Sequence, residues 1–307
     1  MMSTYRPVIS SEKIHHSFGT NKVLFDVNAK IDPGTIVSVV GPSGCGKSVW
    51  LKGIAGIMPP TQGSNLIHIG NDEVYDIRKP CRHVGWVAQD KTVFPFWTAL
   101  QNVAAGPVYD KTTMSYRFFC YPSWHKTRKS ILEKAAFWLE KVGLKGSEYK
   151  YPRELSGGMQ QRLAIAQVMI NRPKLTIMDE PFSALDEANK EKQQRLLLTL
   201  RAENEGFKVK GEEPPYTFMI VTHEINEAIY VGDRVIGLSQ HWDWKNEGHI
   251  VCPGARIVYD KPAPVFSPYD VPNYGNFVDQ KSDILKTVFN KDNVRESWQE
   301  KIEKAKV

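Results

Sequence analysis

Two stretches near the start of the chain alternate apolar and polar residues, which is the pattern of strands with one buried face. They read VISSEKIH at 8–15 and KVLFDVNAKI at 22–31. A period of two places every second side chain on the same face of a sheet. The turn signal DPG follows at 32–34, and the apolar run TIVSVV at 35–40 predicts a buried strand after it.

Apolar residues spaced three and four positions apart predict helices in the middle of the chain, after one more strand that ends at Gln89. The segments with helical spacing are WTALQNVAAG at 97–106, SILEKAAFWLEKVGL at 130–144 and GGMQQRLAIAQVMI at 157–170. Strands resume with KLTIMDE at 174–180 and YTFMIVTHE at 216–224, and the charged segment 187–203 predicts a long helix between them.

This order of elements predicts an α/β core made of two separate segments, 1–92 and 174–265, with a helical subdomain at 93–173 inserted between them. The remaining segment, 266–307, is a C-terminal extension that is first rich in proline and then charged. We expect its charged part, near 284–306, to form a terminal helix.

Length and composition narrow the class of protein. A chain of 307 residues with 41% hydrophobic content can bury a full core, and it has no apolar run long enough to predict a membrane-spanning helix. The first residues lack the apolar region of a secretory signal, and the four cysteines form no C-x-x-C pair. The net charge of +6 suits either an anionic membrane surface or a nucleic acid and does not decide between them. We therefore expect a soluble, cytoplasmic protein in a reducing compartment.

A phosphate-binding loop is predicted directly after the buried strand at 35–40. The segment GPSGCGKS, 41–48, has the spacing G-x-x-x-x-G-K-[ST], in which backbone N–H groups surround phosphates at the positive end of a helix. Lys47 would supply a positive charge to the β- and γ-phosphates, and the Ser48 hydroxyl would be a ligand for Mg²⁺. The pattern SVWLKGIAGI at 48–57 predicts the helix that this loop requires.

Two acidic residues end the apolar strand KLTIM. Asp179 has the position of a carboxylate that holds Mg²⁺ through water, and Glu180 can reach the attacking water as a general base. A further motif, LSGGMQ at 155–160, opens the helix predicted at 157–170. Its serine and glycine amides offer a second positive helix start to a phosphate.

Together these segments resemble the ATP-binding cassette family, the ABC-type ATPases, over about residues 8–265. The resemblance includes three more motifs in the family's order: Gln89 in VGWVAQD, Asp186 in SALD and His223 in IVTHE. It implies the family's fold, an α/β P-loop NTPase cassette with a RecA-like mixed-sheet core, an antiparallel β-subdomain and an inserted α-helical subdomain. It also implies hydrolysis of bound ATP with Mg²⁺.

The resemblance also implies roles for particular residues. By this resemblance Gln89 would sense the γ-phosphate and the metal, and His223 would contact the γ-phosphate. The LSGGMQ motif would bind ATP that is held by a partner subunit. Two chains would then enclose two ATP molecules in a head-to-tail dimer. The catalytic residues would be Glu180, His223, Gln89 and Lys47, and the metal ligands Ser48, Gln89 and Asp179. The residues expected to contact nucleotide are Phe18, Gly41, Pro42, Ser43, Gly44, Cys45, Gly46, Lys47, Ser48, Val49, Gln89, Ser156, Gly157, Gly158 and Asp186.

Phe18 and Cys45 each allow two interpretations. Phe18 lies 23 residues before Gly41, where the family keeps an aromatic residue that stacks on adenine, and the alternative is a core position between two strands. Cys45 lies near a helix start, which predicts a lowered thiol pKa. Its alternative is a small loop residue without chemistry of its own.

The segment after Gln89 narrows the resemblance to importers. VAQDKTVFPFWTALQNVAAG, 87–106, is similar to the cassettes of nitrate, sulfonate and taurine importers, in which this surface receives a short helix of the membrane permease. The implied partners are a second ATPase subunit, the permease subunits and, indirectly, a solute-binding protein, with no nucleic acid, at the inner face of the cell membrane. A urea- or guanidine-linked uptake system, an exporter cassette and a non-transport ATPase acting on nucleic acid or ribosomes are the alternatives.

Three segments are longer than is usual in that family: 107–130, 204–216 and 239–255. We predict either a solvated loop or a membrane-facing contact for the first, a surface loop for the second and an extended terminal hairpin for the third.

Overall fold

The computed structural model describes residues 6–70, 73–89, 92–111, 121–183, 185–240, 252–270 and 274–290. Over these ranges the chain has an α/β fold, as predicted, and it divides into two compact units. The first unit combines 1–81 with 198–307, and the second is 82–197. The predicted terminal helix beyond residue 290 and the central parts of the insertions at 107–130 and 239–255 lie outside the described residues.

An antiparallel sheet forms one layer of the first unit, and it confirms the strands predicted from alternation. Its strands, in the spatial order β2-β1-β4-β5, are β1 (Ile9–Phe18), β2 (Asn21–Ile31), β4 (Gln62–Ile69) and β5 (Glu73–Asp76). Ile14, Val27 and Ile67 are buried on one face, while Lys22 and Lys30 are exposed, as a period of two requires.

A second sheet of the first unit contains the strand that leads into the phosphate loop. Its strands are β3 (Ile36–Val40), β8 (Phe218–Val221), β9 (Arg234–Ser239) and β10 (Arg256–Pro262). Strand β3 runs parallel to both β8 and β9, and β10 is antiparallel to β9. Every residue of β3 and β8 is buried, which explains why both read as continuous apolar runs.

Three helices belong wholly to the first unit: α1 (Lys47–Ile54), α6 (Ile225–Val231) and α7 (Val278–Ile284). Helix α7 lies between the 3₁₀ turn Tyr274–Phe277 and the π-helical turn Leu285–Phe289. We call residues 274–289 the C-terminal segment.

The second unit combines two parallel strands with helices. Strands β6 (Val84–Val87) and β7 (Leu175–Asp179) pair in register from Val84↔Leu175 to Val87↔Met178. The helices within this unit are α2 (Ala99–Lys111), α3 (Tyr121–Lys141) and α4 (Gly157–Met169). No helix in the part of the chain that the structure describes has both the length and the apolar character to cross a bilayer.

The prediction of a surface loop at 204–216 is wrong for residues 204–209, because helix α5 (Glu187–Val209) continues through them. Asn204 explains the extension. It is fully buried, its Nδ2 donates to Gly34 O at 3.1 Å and to Tyr216 O at 2.8 Å, and its Oδ1 accepts from Tyr216 N at 3.1 Å. These distant partners stabilise a helical turn that a glycine, Gly206, would weaken on its own.

Candidate functional site

The segment 41–48 connects β3 to α1 and folds around the side chain of its own lysine. Lys47 is buried, and its Nζ donates to Gly41 O at 2.8 Å and to Pro42 O at 3.0 Å. Two carbonyl oxygens thus compensate the buried cation within the first unit. Phosphate oxygens can replace these carbonyls as acceptors for the same ammonium group.

Close packing against neighbouring strands explains why two positions of this loop are glycine. Gly46 has φ 99°, and a Cβ atom there would lie 2.8 Å from Leu24 Cδ2 and 2.9 Å from Val23 Cγ1, both in β2. A Cβ atom on Gly41 would lie 2.2 Å from Leu238 O in β9. Any larger residue at either position would push the loop away from the strands that support it.

The outer part of the loop faces solvent. Ser43 and Gly44 are exposed, and Ser48 and Val49 are half-buried at the start of α1. The helix itself is anchored by Trp50, which is fully buried and whose Nε1 donates to Ser11 Oγ at 3.1 Å. The loop therefore presents its open side at the beginning of a rigidly held helix.

The predicted low pKa of Cys45 is wrong. The thiol is 3% exposed and lies 3.5 Å from Leu238 O, and its burial raises its pKa, an effect that exceeds the opposing influence of the Lys47 charge. A buried, protonated thiol agrees with the alternative interpretation, in which Cys45 is a small packing residue.

Phe18 is not a core residue, which removes one of its two interpretations. It is the last residue of β1 and is 50% exposed, with its ring 4.8 Å from the buried ring of His16 in an edge-to-face contact. One side of an aromatic ring at the end of this strand is thus open to a stacking ligand.

His223 and Gly41 follow two parallel neighbouring strands of the first unit. Val39 and Val221 are register partners in β3 and β8, and Thr222 N donates to Val39 O at 3.2 Å. His223 and Gly41 each lie two residues after these partners, at the carboxyl edge of the sheet. His223 is exposed there, in the position where open α/β sheets bind ligands.

Gln89 and Glu180 have the corresponding relationship in the second unit. They follow the register partners Val87 and Met178 by two residues each, and Gln89 Nε2 donates to Glu180 Oε2 at 3.1 Å. Asp179, the last residue of β7, is half-buried beside them. The structure therefore brings together an amide and a carboxylate that are 91 residues apart in sequence.

Glu180 has a left-handed backbone conformation, with φ 47°. For a residue that has a Cβ atom, this backbone conformation raises the free energy of the folded state by about 1 kcal/mol or more. Such strain occurs most often at functional sites. Ser183 stabilises the turn, because its N and Oγ both donate to Glu180 O, at 3.3 and 3.1 Å. In this turn the Glu180 carboxylate accepts the hydrogen bond from Gln89 Nε2.

Ser156 is the N-cap of α4, as the sequence predicts for the LSGGMQ motif. It is exposed, and its Oγ accepts from Met159 N at 3.3 Å. Gly157 is half-buried and Gly158 is buried. The first turn of this helix therefore carries its serine at the surface of the second unit, and its two glycines lie progressively deeper.

Asn189 is a residue of this region that the sequence analysis missed. A Cβ atom on Gly158 would lie 2.9 Å from Asn189 Cγ, and Asn189 also bonds both carboxylate oxygens of Asp186, through N at 2.9 Å and Nδ2 at 2.8 Å. These two bonds lower the pKa of Asp186. The three-residue spacing from Asp186 to Asn189 at a helix start is the signal that could have identified it.

The segment after Gln89 is held by a buried side chain and carries exposed aromatic rings. Asn102 is fully buried; its Oδ1 accepts from Phe94 N at 2.7 Å, and its Nδ2 donates to the carbonyls of Phe94, Trp97 and Thr98 at 3.0–3.1 Å. Phe96 is 88% exposed. A polar residue thus fixes the conformation of a loop whose apolar rings face outward.

A cavity of about 710 Å³ adjoins this segment in the second unit. Its walls include the aromatic residues Trp86, Phe94 and Tyr109 and the basic residues Arg82, Arg172 and Lys174. Asp110 also lines the cavity, so its walls combine apolar rings with an excess of basic side chains, which suits a protein segment better than a small apolar ligand.

A glycine-rich loop that leads from a buried parallel strand into a helix, with its lysine inside the loop, is the defining feature of P-loop nucleotide hydrolases, and this chain has it. The chain belongs to the ABC transporter family, whose model matches residues 24–183. It is an ATP-hydrolysing ABC ATPase, which confirms the resemblance and the activity expected from the motifs.

Two relatives illustrate the range of similar proteins. The aliphatic sulfonates import ATP-binding protein SsuB of Bacillus cereus is 35% identical over 221 residues, which cover 72% of this chain and 75% of that protein. The Fe(3+) ions import ATP-binding protein FbpC of Rhizobium etli is 34% identical over 267 residues, 86% of this chain and 66% of that protein.

Solved structures agree on the fold. CbiO1 from Clostridium perfringens, part of the ABC transporter complex CbiONQ, superposes with a TM-score of 0.63 at 20% identity, covering 92% of this chain and 94% of that one. The ATP-binding cassette MJ0796, in a dimeric post-hydrolysis state bound to ADP and Pi, superposes with a TM-score of 0.59 at 28% identity. The superposition covers 84% of this chain and 100% of that one. The predicted fold class is therefore confirmed.

Proposed function

We propose that this ATPase is the energy-supplying subunit of an importer, in which hydrolysis of ATP to ADP and phosphate drives uptake of a small polar solute through membrane permease subunits. The observation that carries the proposal is the hydrogen bond between Gln89 and Glu180. It joins the proposed general base to the residue that begins the segment with exposed aromatic rings. The importer names of both relatives support this reading.

In the proposed reaction the protein positions ATP and compensates its charge, which is most of what phosphoryl transfer requires. Lys47 exchanges its two loop carbonyls for the β- and γ-phosphate oxygens, with the loop residues Gly41 to Val49 surrounding them. Glu180 accepts a proton from the attacking water, and Gln89 orients the Glu180 carboxylate through its amide. His223 donates a hydrogen bond to the γ-phosphate.

Phe18 is proposed to stack on adenine. Its ring is half-exposed at the end of β1, and base stacking on an aromatic ring needs only one open face.

Ser48, Asp179 and Gln89 are proposed to hold Mg²⁺. All three offer the hard oxygen donors that this ion prefers, and Gln89 keeps an amide oxygen while its nitrogen bonds Glu180. The ion, when bound, neutralises part of the phosphate charge.

A second copy of this chain, or a closely similar ATPase subunit, is the proposed partner at the LSGGMQ motif. Ser156, Gly157 and Gly158 would bind the γ-phosphate of ATP held by the partner, and Asp186 would lie at the same interface. The exposure of Ser156 and Asp186 supports this assignment, as does the dimeric state of the similar cassette bound to ADP and Pi.

The proposed permease contact is the cavity beside Phe94 together with the exposed Phe96. A short helix of the membrane subunit with apolar and acidic side chains would match these rings and the excess of basic side chains that line the cavity. The chain would then lie on the cytoplasmic face of the membrane, with the solute-binding protein acting only through the permease.

The proposed solute belongs to the nitrate, sulfonate and taurine class or to urea- and guanidine-like compounds. The two relatives are named for different solutes, so the ATPase sequence does not choose among them. Neither the exporter nor the nucleic-acid alternative is favoured by any feature of the described residues.

The test is co-purification of the chain with candidate permease subunits of the same organism, followed by ATP-driven uptake of labelled nitrate, taurine, an alkanesulfonate and urea into proteoliposomes. Phe96→Ala should lose permease binding while the isolated ATPase keeps its activity. Tyr149→Ala, which removes another largely exposed ring of the same unit, is the matched control. Stimulation of the ATPase by DNA or ribosomes, with no permease bound, would contradict import.

A further inference from the structure

The C-terminal segment, residues 274–289, contributes to the core behind the phosphate loop. Its Ile284 and Val288 are 0% exposed and belong to the same hydrophobic cluster as Val40, the residue directly before Gly41. A segment that follows the last strand of the sheet thus packs against the strand end from which the loop begins.

Val288 lies directly on the backbone of Gly237 in β9. A Cβ atom added to Gly237 would come within 2.3 Å of Val288 Cγ2, which is too close for two carbon atoms. Gly237 is the register partner of Val40 in the parallel pair of β3 and β9. Val288 therefore contacts β9 at the level where β3 ends and the loop starts.

The residue after Gly237 makes the contact with the loop. Leu238 O lies 3.5 Å from Cys45 Sγ, and it would be 2.2 Å from a Cβ atom on Gly41. The position of this carbonyl limits how closely Gly41 and Cys45 of the loop can approach β9. The side chain of Val288 is thus separated from the loop by one strand residue.

Polar contacts hold the C-terminal segment in place. Gln280 Nε2 donates to Tyr259 Oη at 3.3 Å and to Pro262 O at 3.0 Å, and Lys261 Nζ lies 2.6 Å from Asp283 Oδ2. All three partners belong to β10, the neighbour of β9. These bonds attach the C-terminal segment to β10, which lies next to β9, the strand that Val288 contacts.

We propose that Val288 is a positioning residue for ATP binding. It packs on Gly237, keeps the end of β9 in place, and through Leu238 O sets the position of Gly41 and Cys45. Protein interiors are packed densely enough to transmit such a displacement, and a loop that binds phosphate by its amides tolerates little of it. The proposal goes beyond import and rests only on nucleotide binding.

Val288→Ala tests the proposal, since it removes two methyl groups from this contact. We expect the KM for ATP to rise roughly three- to ten-fold while kcat changes by less than about two-fold. The control is Leu285→Ala on the same π-helical turn, where the side chain is exposed and KM should stay at the wild-type value. A lower melting temperature with unchanged KM would show that Val288 supports only the fold and would overturn the proposal.

Gly237→Ala provides a second test, because its new methyl group must displace Val288. We expect it to raise KM, and combining it with Val288→Ala should recover part of the lost affinity, because the clash with Val288 Cγ2 at 2.3 Å is gone while the contact with Tyr259 Cβ at 2.9 Å remains. Additive losses in the double variant would overturn the proposal. If Val288→Ala does not fold, Gln280→Ala loosens the same segment and is judged by the same change in KM. A wild-type chain that binds no ATP would contradict the ATPase function itself.

Discussion

Gln89 Nε2 lies 3.1 Å from Glu180 Oε2, and the two residues occupy equivalent positions after two parallel strands. Because parallel register brings strand ends to the same edge of a sheet, an amide and a carboxylate 91 residues apart become hydrogen-bonded neighbours. A change at Gln89 is therefore transmitted to the proposed general base by a direct contact.

Glu180→Gln should leave ATP binding intact and reduce turnover by about a hundredfold or more, because an amide cannot accept the proton of water. Steady-state phosphate release and equilibrium binding of ATP measure the two effects separately. Glu205→Gln, an exposed glutamate of α5, is the control and should hydrolyse ATP normally. Wild-type turnover by the Glu180 variant would assign the base elsewhere.

Lys47→Ala should lower ATP affinity by about tenfold to a hundredfold, because the charge-assisted bonds to the β- and γ-phosphates are lost while the loop amides remain. Titration with a fluorescent ATP analogue measures this affinity. Lys52→Ala removes a second lysine from the same helix and should bind as the wild type does. Unchanged affinity of the Lys47 variant would mean that the loop does not bind the nucleotide.

The Glu180→Gln chain should form a dimer with ATP and remain a monomer with ADP. The γ-phosphate adds charge-assisted contacts to the partner's LSGGMQ helix that neither chain makes alone. Light scattering with each nucleotide at the same protein concentration distinguishes the two states. Replacing Ser156 by alanine in the same chain should weaken the dimer, and a dimer that needs no nucleotide would oppose the head-to-tail arrangement.

Cys45 should be alkylated more slowly than Cys81 in the native protein. Burial raises the pKa of the Cys45 thiol, so a smaller fraction is thiolate at any pH below that pKa, and its 3% exposure also excludes the reagent. Raising the pH should increase its rate, and unfolding should make the two rates similar. Site-resolved mass spectrometry after iodoacetamide treatment measures this, and equal rates in the native state would indicate an open loop.

Much of the fold could be predicted because its signals are local. The alternation in β1 and β2, the continuous apolar runs of β3 and β8 and the spacing in α4 each lie within a dozen residues or so, and backbone geometry converts them directly into strands and helices. The end of α5 was not predictable in this way. It depends on Asn204 bonding Gly34, which is 170 residues away.

By itself the sequence determined the family of this protein, the loop predicted to bind phosphate and the strand that ends at Asp179, directly before Glu180, because each is recognised from short motifs of neighbouring residues. Only the tertiary structure decided which of these residues meet. Strand register paired Gln89 with Glu180, burial against β9 raised the pKa of Cys45, and packing of Val288 on Gly237 brought the C-terminal segment, residues 274–289, behind the phosphate loop. Such contacts join residues far apart in the chain, and their formation depends on how strands and helices pack rather than on any local pattern.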